Sequence, residues 1–208
     1  MIIYKPFLFL NEYKFLTFLL NFSDRMEKFS YLAFETYFLK EGLVVPYLRE
    51  NTKSLGITEG YPVYGGIAQA VCKLKESNHD VAETVAQRIK DANKDKVVRA
   101  FSLTTTDTGF EKPKNSSLHE RILCFVNTEK GANIVGDLEK IDGVINTYVT
   151  EGIFGTAIEA GARNTDLLRQ LYEWQLRKVN GIMDMRKLHI KADGFIVDEN
   201  GNPQDLIF

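Results

Sequence analysis

The chain has 208 residues, 44% of them hydrophobic and 26% charged, with a formal net charge of −2. That length allows one large domain or two small ones with a real core. The charge excludes a polycation built to coat nucleic acid, so any DNA contact needs a local basic surface. Cys72 and Cys124 stand alone in apolar stretches with no metal-ligand or redox spacing, which reads as two buried thiols in a reducing compartment.

Met1–Phe22 is rich in Phe, Leu, Ile and Tyr but is interrupted by Lys5, Asn11, Glu12 and Lys14. A spanning helix needs about 20 nearly uninterrupted apolar residues, and a central charge costs about 2.5–3.5 kcal/mol. Asn21-Phe22-Ser23-Asp24-Arg25 is a poor signal-cleavage site. Residues 1–25 therefore read as an apolar extension, either an amphipathic helix packed on the rest or a stretch ahead of a start at Met26. The protein is expected to be cytoplasmic, with no membrane partner.

Residues 26–104 read as mostly helical. Phe29–Leu39 and Gly42–Leu55 are helix candidates, with Pro46 tolerable near the start of the second. Val63–Leu74 places Ile67, Ala68, Val71 and Leu74 on one helical face. Ser77, Asn78 or Asp80 can cap a helix over Val81–Ala92, with Val81, Val85 and Ile89 inward and Gln87, Arg88 and Lys90 outward. Val97–Thr104 is strand-like. An alternative reading takes Gln69–Lys75, Val81–Ala92 and Val97–Thr104 as β-α-β, an echo of Ile122–Thr150 and half of a tandem repeat.

Thr104–Leu118, with Gly109, Pro113, Asn115 and Ser116-Ser117, reads as loop, giving a linker over 105–118. In 119–192 the elements alternate. Ile122–Val126 is a strand, and a helix runs from Gly131 to Ile141. Asp142-Gly143 stops it before the strand Val144–Thr150, and Glu151-Gly152 reverses the chain into Ile153–Ala160. Asn164 or Thr165 caps a helix whose buried stripe is Leu167, Leu168, Leu171, Trp174, Leu176 and Val179, and Ile182–Ile190 is the last strand. The order β-α-β-β-α-β gives an α+β, ferredoxin-like domain with both helices on one face of a four-stranded antiparallel sheet. Its other face is left bare, which calls for a second copy or another domain. Residues 193–208 form a tail with a short strand at Phe195–Val197.

The stretch from Ile122 through Leu138-Glu139-Lys140-Ile141-Asp142-Gly143-Val144, Tyr148-Val149-Thr150-Glu151-Gly152-Ile153-Phe154-Gly155 and Arg177-Lys178-Val179-Asn180-Gly181-Ile182 resembles the ligand-sensing domain of the Lrp/AsnC regulators. Gly155 stands where that family commonly has an acidic residue. Tyr64–Val71, Val85–Lys90 and Val97–Phe101 resemble the same regulators' winged helix-turn-helix, with a longer turn and with Glu83 and Asp91 among its bases. The resemblance implies a DNA-binding transcriptional regulator that forms homodimers or larger oligomers and senses an effector such as an amino acid. A DNA-independent effector-binding or assembly module is the alternative.

The turn is the best ligand candidate: Tyr148 and Phe154 as walls, Gly152 and Gly155 for backbone approach, with Thr150 and Ile153 between them. The competing reading is a tight hairpin with two core aromatics. Gln87, Arg88, Lys90 and Arg99 are the DNA candidates on double-stranded DNA, or else members of a solvated helix face. Nothing points to catalysis. His79, His119 and His189 are far apart and share no metal spacing, no nucleophile elbow or phosphate loop is present, and Asp198–Pro203 lacks calcium-ligand spacing. No enzyme activity, cofactor or metal is therefore expected.

Overall fold

The computed structural model describes residues 29–36, 44–65, 68–76, 78–94, 97–111, 118–129, 134–152, 154–191 and 194–205. The apolar extension over 1–25, the start at Met26, the helix opening at Gly131 and the linker residues 112–117 lie outside them.

The first half of the chain is β1 (Ser30–Thr36), α1 (Val44–Glu50), α2 (Thr52–Leu55), β2 (Ile57–Tyr64), β3 (Ala70–Leu74), α3 (His79–Ala92) and β4 (Val97–Glu111). The second is β5 (Glu120–Thr128), α4 (Val135–Leu138), β6 (Val144–Gly152), β7 (Thr156–Ala162), α5 (Thr165–Gln170, continued by a π turn Leu171–Gln175 and a 3₁₀ turn Leu176–Lys178) and β8 (Ile182–Ile190). Strands β9 (Phe195–Val197) and β10 (Pro203–Asp205) follow.

Strand order is β2-β3-β1-β4 in the first half and β6-β7-β5-β8 in the second, all neighbours antiparallel. Both halves are thus β-α-β-β-α-β units with the same strand order. Two seams join them: β4 pairs with β6 from Leu103↔Gly152 to Glu111↔Asn146, and β2 pairs with β8 at Val63↔Ile190 and Tyr64↔His189. The second seam closes the eight strands into a ring. A barrel follows from side-chain alternation: inward residues of all eight strands, among them Tyr31, Tyr61, Val71, Leu103, Phe125, Tyr148, Ala157 and Leu188, form one cluster. Alternate residues face outward. Leu32, Phe34, Cys72 and Leu74 pack under α1 and α3, while Ile122, Cys124, Ile158 and Ala160 pack under α4 and α5.

The second half agrees with the sequence reading. Asn164 caps α5, accepting from the Leu167 N–H at 2.9 Å. Leu167 and Trp174 depart from it: Leu167 is 44% exposed, the π turn shifts the helical phase beyond it, Leu168, Leu171, Tyr172 and Leu176 take the buried face, and Trp174 is 68% exposed.

The first half requires correction. The expected winged helix-turn-helix is not formed: Tyr64 ends β2, Ala70 and Val71 begin β3, and Phe29–Leu39 contains a strand rather than a helix. The reason is that β1 and β3 are buried on both faces, lumen and helix side. A doubly buried strand has no period-two alternation and reads as a continuous apolar run. The β-α-β alternative is the arrangement observed, although β3-α3-β4 corresponds to β7-α5-β8 rather than to Ile122–Thr150. Thr104–Glu111, read as loop, is strand paired with β6. The bare sheet face is covered by the chain's own first half.

Gly152 closes the β4–β6 seam at φ +133°, where a Cβ would come within 2.8 Å of the Ser102 carbonyl oxygen. Gly155 has nothing within 4 Å of the same position. Gly152→Ala should therefore cost about 1–3 kcal/mol or more in urea unfolding, while Gly155→Ala should change stability by less than about 0.5 kcal/mol.

Candidate functional site

At one end of the lumen, formed by the starts of β1 and β5 and the ends of β3 and β7, the lining becomes charged. The Lys73 Nζ lies 2.7 Å from Glu159 Oε1 and 3.5 Å from Glu59 Oε2. Tyr31 Oη donates to Glu159 Oε1 at 2.6 Å, and Asn146 Nδ2 donates to Oε2 at 2.7 Å. Arg121 Nη2 stands 3.8 Å from that same oxygen. Around the ammonium are the rings of Phe29, Tyr31 and Tyr148, with centroids 4.9, 5.4 and 5.7 Å away, so a cation–π environment adds to the ion pair. Strand register makes the group: Tyr31 lies opposite Lys73, and Glu159 opposite both Leu123 and Asn146. Strands β3 and β7 stand four places apart in the eight-strand ring, so Lys73 and Glu159 meet from opposite walls.

Burial pushes the Glu159 carboxyl upward, but the Lys73 charge and the hydrogen bonds from Lys73 and Tyr31 outweigh it and hold the group below the ordinary carboxylate range. Burial pulls the Lys73 ammonium down; Glu159 and Glu59 more than reverse this, so it titrates above its ordinary value. Burial, then the Glu159 charge, pushes the Tyr31 phenol well up. At neutral pH the cluster is thus carboxylate, ammonium and phenol. Arg121 and Glu59 have side chains 23% and 27% exposed, and they carry the charge outward from Lys73 and Glu159.

The ligand candidates of the 148–155 turn are only partly assembled. Tyr148 and Phe154 are buried in the lumen, Tyr148 edge-on to Phe29 and Phe154 stacked on Phe125. Thr150 donates its hydroxyl to the Phe154 carbonyl at 2.9 Å. Gly152 sits against β4, Gly155 is exposed, and Ile153 lies outside the described residues. Gln87, Arg88 and Lys90 line a cleft of about 620 Å³ between α3 and β4, together with Glu83, Asp91 and Ser102. Gln87 is hydrogen-bonded to Asp91, and Arg99, on the exposed side of β4, lies 3.9 Å from Glu35. Both cysteines are free and buried, and burial pushes the Cys124 thiol up to about 12. Among the described residues no cluster of His, Cys, Asp and Glu could hold a metal ion, and no helix is long and apolar enough to cross a membrane.

The charged cluster escaped the sequence reading. Its one signal was a lone Lys inside Ala70–Leu74 and a lone Glu inside Thr156–Ala162, opposite charges placed alike in two apolar strands.

No protein-family model matches the chain, and no curated protein matches it. Solved structures do. The siroheme decarboxylase NirDL aligns at 11% identity and a TM-score of 0.56 over 86% of this chain and 74% of its own. Escherichia coli AsnC aligns at 14% identity and a TM-score of 0.33 over 53% of this chain and 70% of its own. An anthrone oxidase-like protein aligns at 8% identity and a TM-score of 0.47 over 80% and 92%. AsnC supplies a distant fold likeness to the Lrp/AsnC proteins, and at their scores neither it nor the oxidase-like protein carries an argument. NirDL shows a shared fold. The expectation that the chain is not an enzyme is corrected by that finding, because this architecture houses a decarboxylase.

A buried ion pair that loses one partner leaves an uncompensated charge, at a cost of about 3–5 kcal/mol. Lys73→Ala and Glu159→Ala should each cost that much in urea unfolding, and Lys73→Met/Glu159→Leu should recover most of it. The lowered Glu159 value contributes stability that is present above about pH 4.3 and lost as pH falls through the folded value. The raised Lys73 value contributes stability present below about pH 10.4 and lost as pH rises through its folded value. Melting temperature should hold a plateau between these limits, and the apolar double variant should lose less at both ends.

Proposed function

We propose that this chain is an acid–base enzyme for a small molecule bearing a carboxylate, and that the charged end of the barrel receives it. The observation behind this is the buried Lys73–Glu159 pair, continued to the surface by the partly exposed Arg121 and Glu59. A guanidinium beside an ammonium is suited to a planar carboxylate. In this reading Arg121 orients the carboxylate, and Lys73 stabilises charge that develops beside it. Tyr31, protonated at neutral pH and hydrogen-bonded to Glu159, is the proton donor in this reading. Reactions that protonate a carbon as a carboxyl group leaves belong to this class. The fold shared with a decarboxylase supports the choice without deciding the substrate.

The regulator reading keeps α3 as a DNA contact through Gln87, Arg88 and Lys90, with an amino acid as effector. Glu83 and Asp91 in the same cleft weigh against a phosphate-binding surface, so it is the weaker of the two.

A thermal-shift panel of mono- and polycarboxylic acids tests the proposal, with mass spectrometry of each mixture. A ligand at a hundredfold its dissociation constant stabilises by about 2.7 kcal/mol. The expected result is a carboxylate that raises the melting point and is converted, with Arg121→Ala abolishing the shift and Tyr31→Phe abolishing conversion while retaining binding. A panel in which no acid shifts the wild type, or one in which Arg121→Ala binds normally, sinks the proposal.

A further inference from the structure

The ring closes unevenly at β8. Strand β2 pairs with it only at His189 and Ile190, while the first half of β2's edge is taken by β9 at Glu59 and Gly60. Strand β5 covers the other side of β8 from Ile182 to Ile190. Among the described residues, then, Ile182–Arg186 have no strand on their second edge. The Lys187 carbonyl oxygen lies 3.5 Å from the Cβ position of Gly65, just past the end of β2, so it faces that second edge. Alternation then points the backbone groups of Met185 the same way, and a register shift against β5 interrupts the alternation at Met183.

An open edge is a template for another strand, and proteins normally blunt one with proline, brevity, charged side chains or a bulge. The sheet's other terminus is protected in that manner: β10 has three residues and begins with Pro203. The β8 edge has no proline, belongs to a nine-residue strand, and is irregular only at Met183, which is 70% exposed. Its charges are also self-complementary. Asp184 and Arg186 flank Met185 and face the same side, 3.2 Å apart, each about half exposed. When two copies of this segment lie antiparallel with Met185 opposite Met185, each Asp184 falls opposite the other copy's Arg186, short of the irregularity at Met183. One-residue slips lose both charge pairs and turn every side chain to the wrong face.

We infer that the edge of β8 left open among the described residues pairs with the same edge of a second copy of this chain, antiparallel and centred on Met185, making a two-fold dimer whose sheet continues from one barrel into the next. This surface is separate from the lumen and does not depend on the enzymatic reading. So short an edge gives a weak, concentration-dependent dimer.

Sedimentation equilibrium of the full chain from about one to several hundred micromolar tests it. Asp184→Arg places like charges opposite each other twice per dimer, and Arg186→Asp does the same with the opposite sign; each should weaken association by about tenfold or more. The double variant Asp184→Arg/Arg186→Asp restores opposite charges in the same register and should regain the wild-type constant. All three should melt as the wild type does, because both side chains are exposed. A wild type that stays monomeric at the highest concentration overturns the inference. So does a dimer indifferent to both single changes, or a double variant that fails to regain association.

Discussion

The whole arrangement turns on placing one ammonium and one carboxylate inside a closed barrel. Neither Lys73 nor Glu159 can be buried alone, because removing an ion from water costs several kcal/mol even after relaxation. Each is tolerable only when the other reaches it across the lumen at 2.7 Å with its remaining valences filled by Tyr31, Asn146 and Glu59. This constrains both walls at once. A one-residue slip in β3 or β7 would turn one charge under the helices, where Cys72 and Leu74, or Ile158 and Ala160, now pack in apolar surroundings. The pair therefore specifies register in two strands 86 residues apart in sequence. It also obliges the β2–β8 and β4–β6 seams to close, since an open barrel would expose the pair to water and remove its grip.

How much of this was legible in sequence depended on local punctuation as well as burial: β7 is buried along its length, as β3 is, yet the Glu151-Gly152 reversal before it and the Asn164 cap after it mark it out. In the second half β6 carries partly exposed Asn146 and Val149 among its buried residues, and α5 has a polar outer face and an Asn164 cap. Period and punctuation there match the elements found. In the first half β3 is buried along its length, and its spacing of Ala68, Val71 and Leu74 happens to fit a helix as well as a strand. Helix α3 was readable for the opposite reason: Ala82, Val85, Ala86 and Ile89 are buried and the outer face is mostly polar, although Val81, expected inward, is exposed. Topology was the ambiguous step, since a helix followed by a strand belongs as readily to a helix-turn-helix as to the second crossover of a ferredoxin-like unit.

The site was illegible for a different cause. Tyr31 and Glu159 are 128 residues apart, and no spacing rule joins groups that meet only when two halves close. The 148–155 turn attracted attention because its glycines and aromatics are adjacent in sequence. In the fold those aromatics fill the lumen: Phe154 stacks on Phe125, and Tyr148 forms a wall beside Lys73. The alternative of two core aromatics describes their packing, and Tyr148 gains a further part as neighbour of the buried charge.

Joining both units in one chain changes what the barrel can contain. Lys73 and Glu159 occupy corresponding places, each on the third strand of its half and each opposite an inward residue of the first strand, Tyr31 or Leu123. In a barrel of two identical chains a symmetric position carries the same residue twice. A lysine there would face a lysine and a glutamate a glutamate, like charges a few ångströms apart that cannot both remain ionised without water. Two sequences on one backbone remove that restriction. One wall can be basic and the other acidic, Tyr31 can stand where the second half has Leu123, and Arg121 can guard one end while Phe101, Phe125 and Phe154 fill the other. Under the proposed function, unlike ends give an asymmetric substrate one orientation at the charged end. That is the physical condition for holding a carboxylate at one fixed point and directing a proton to the atom beside it.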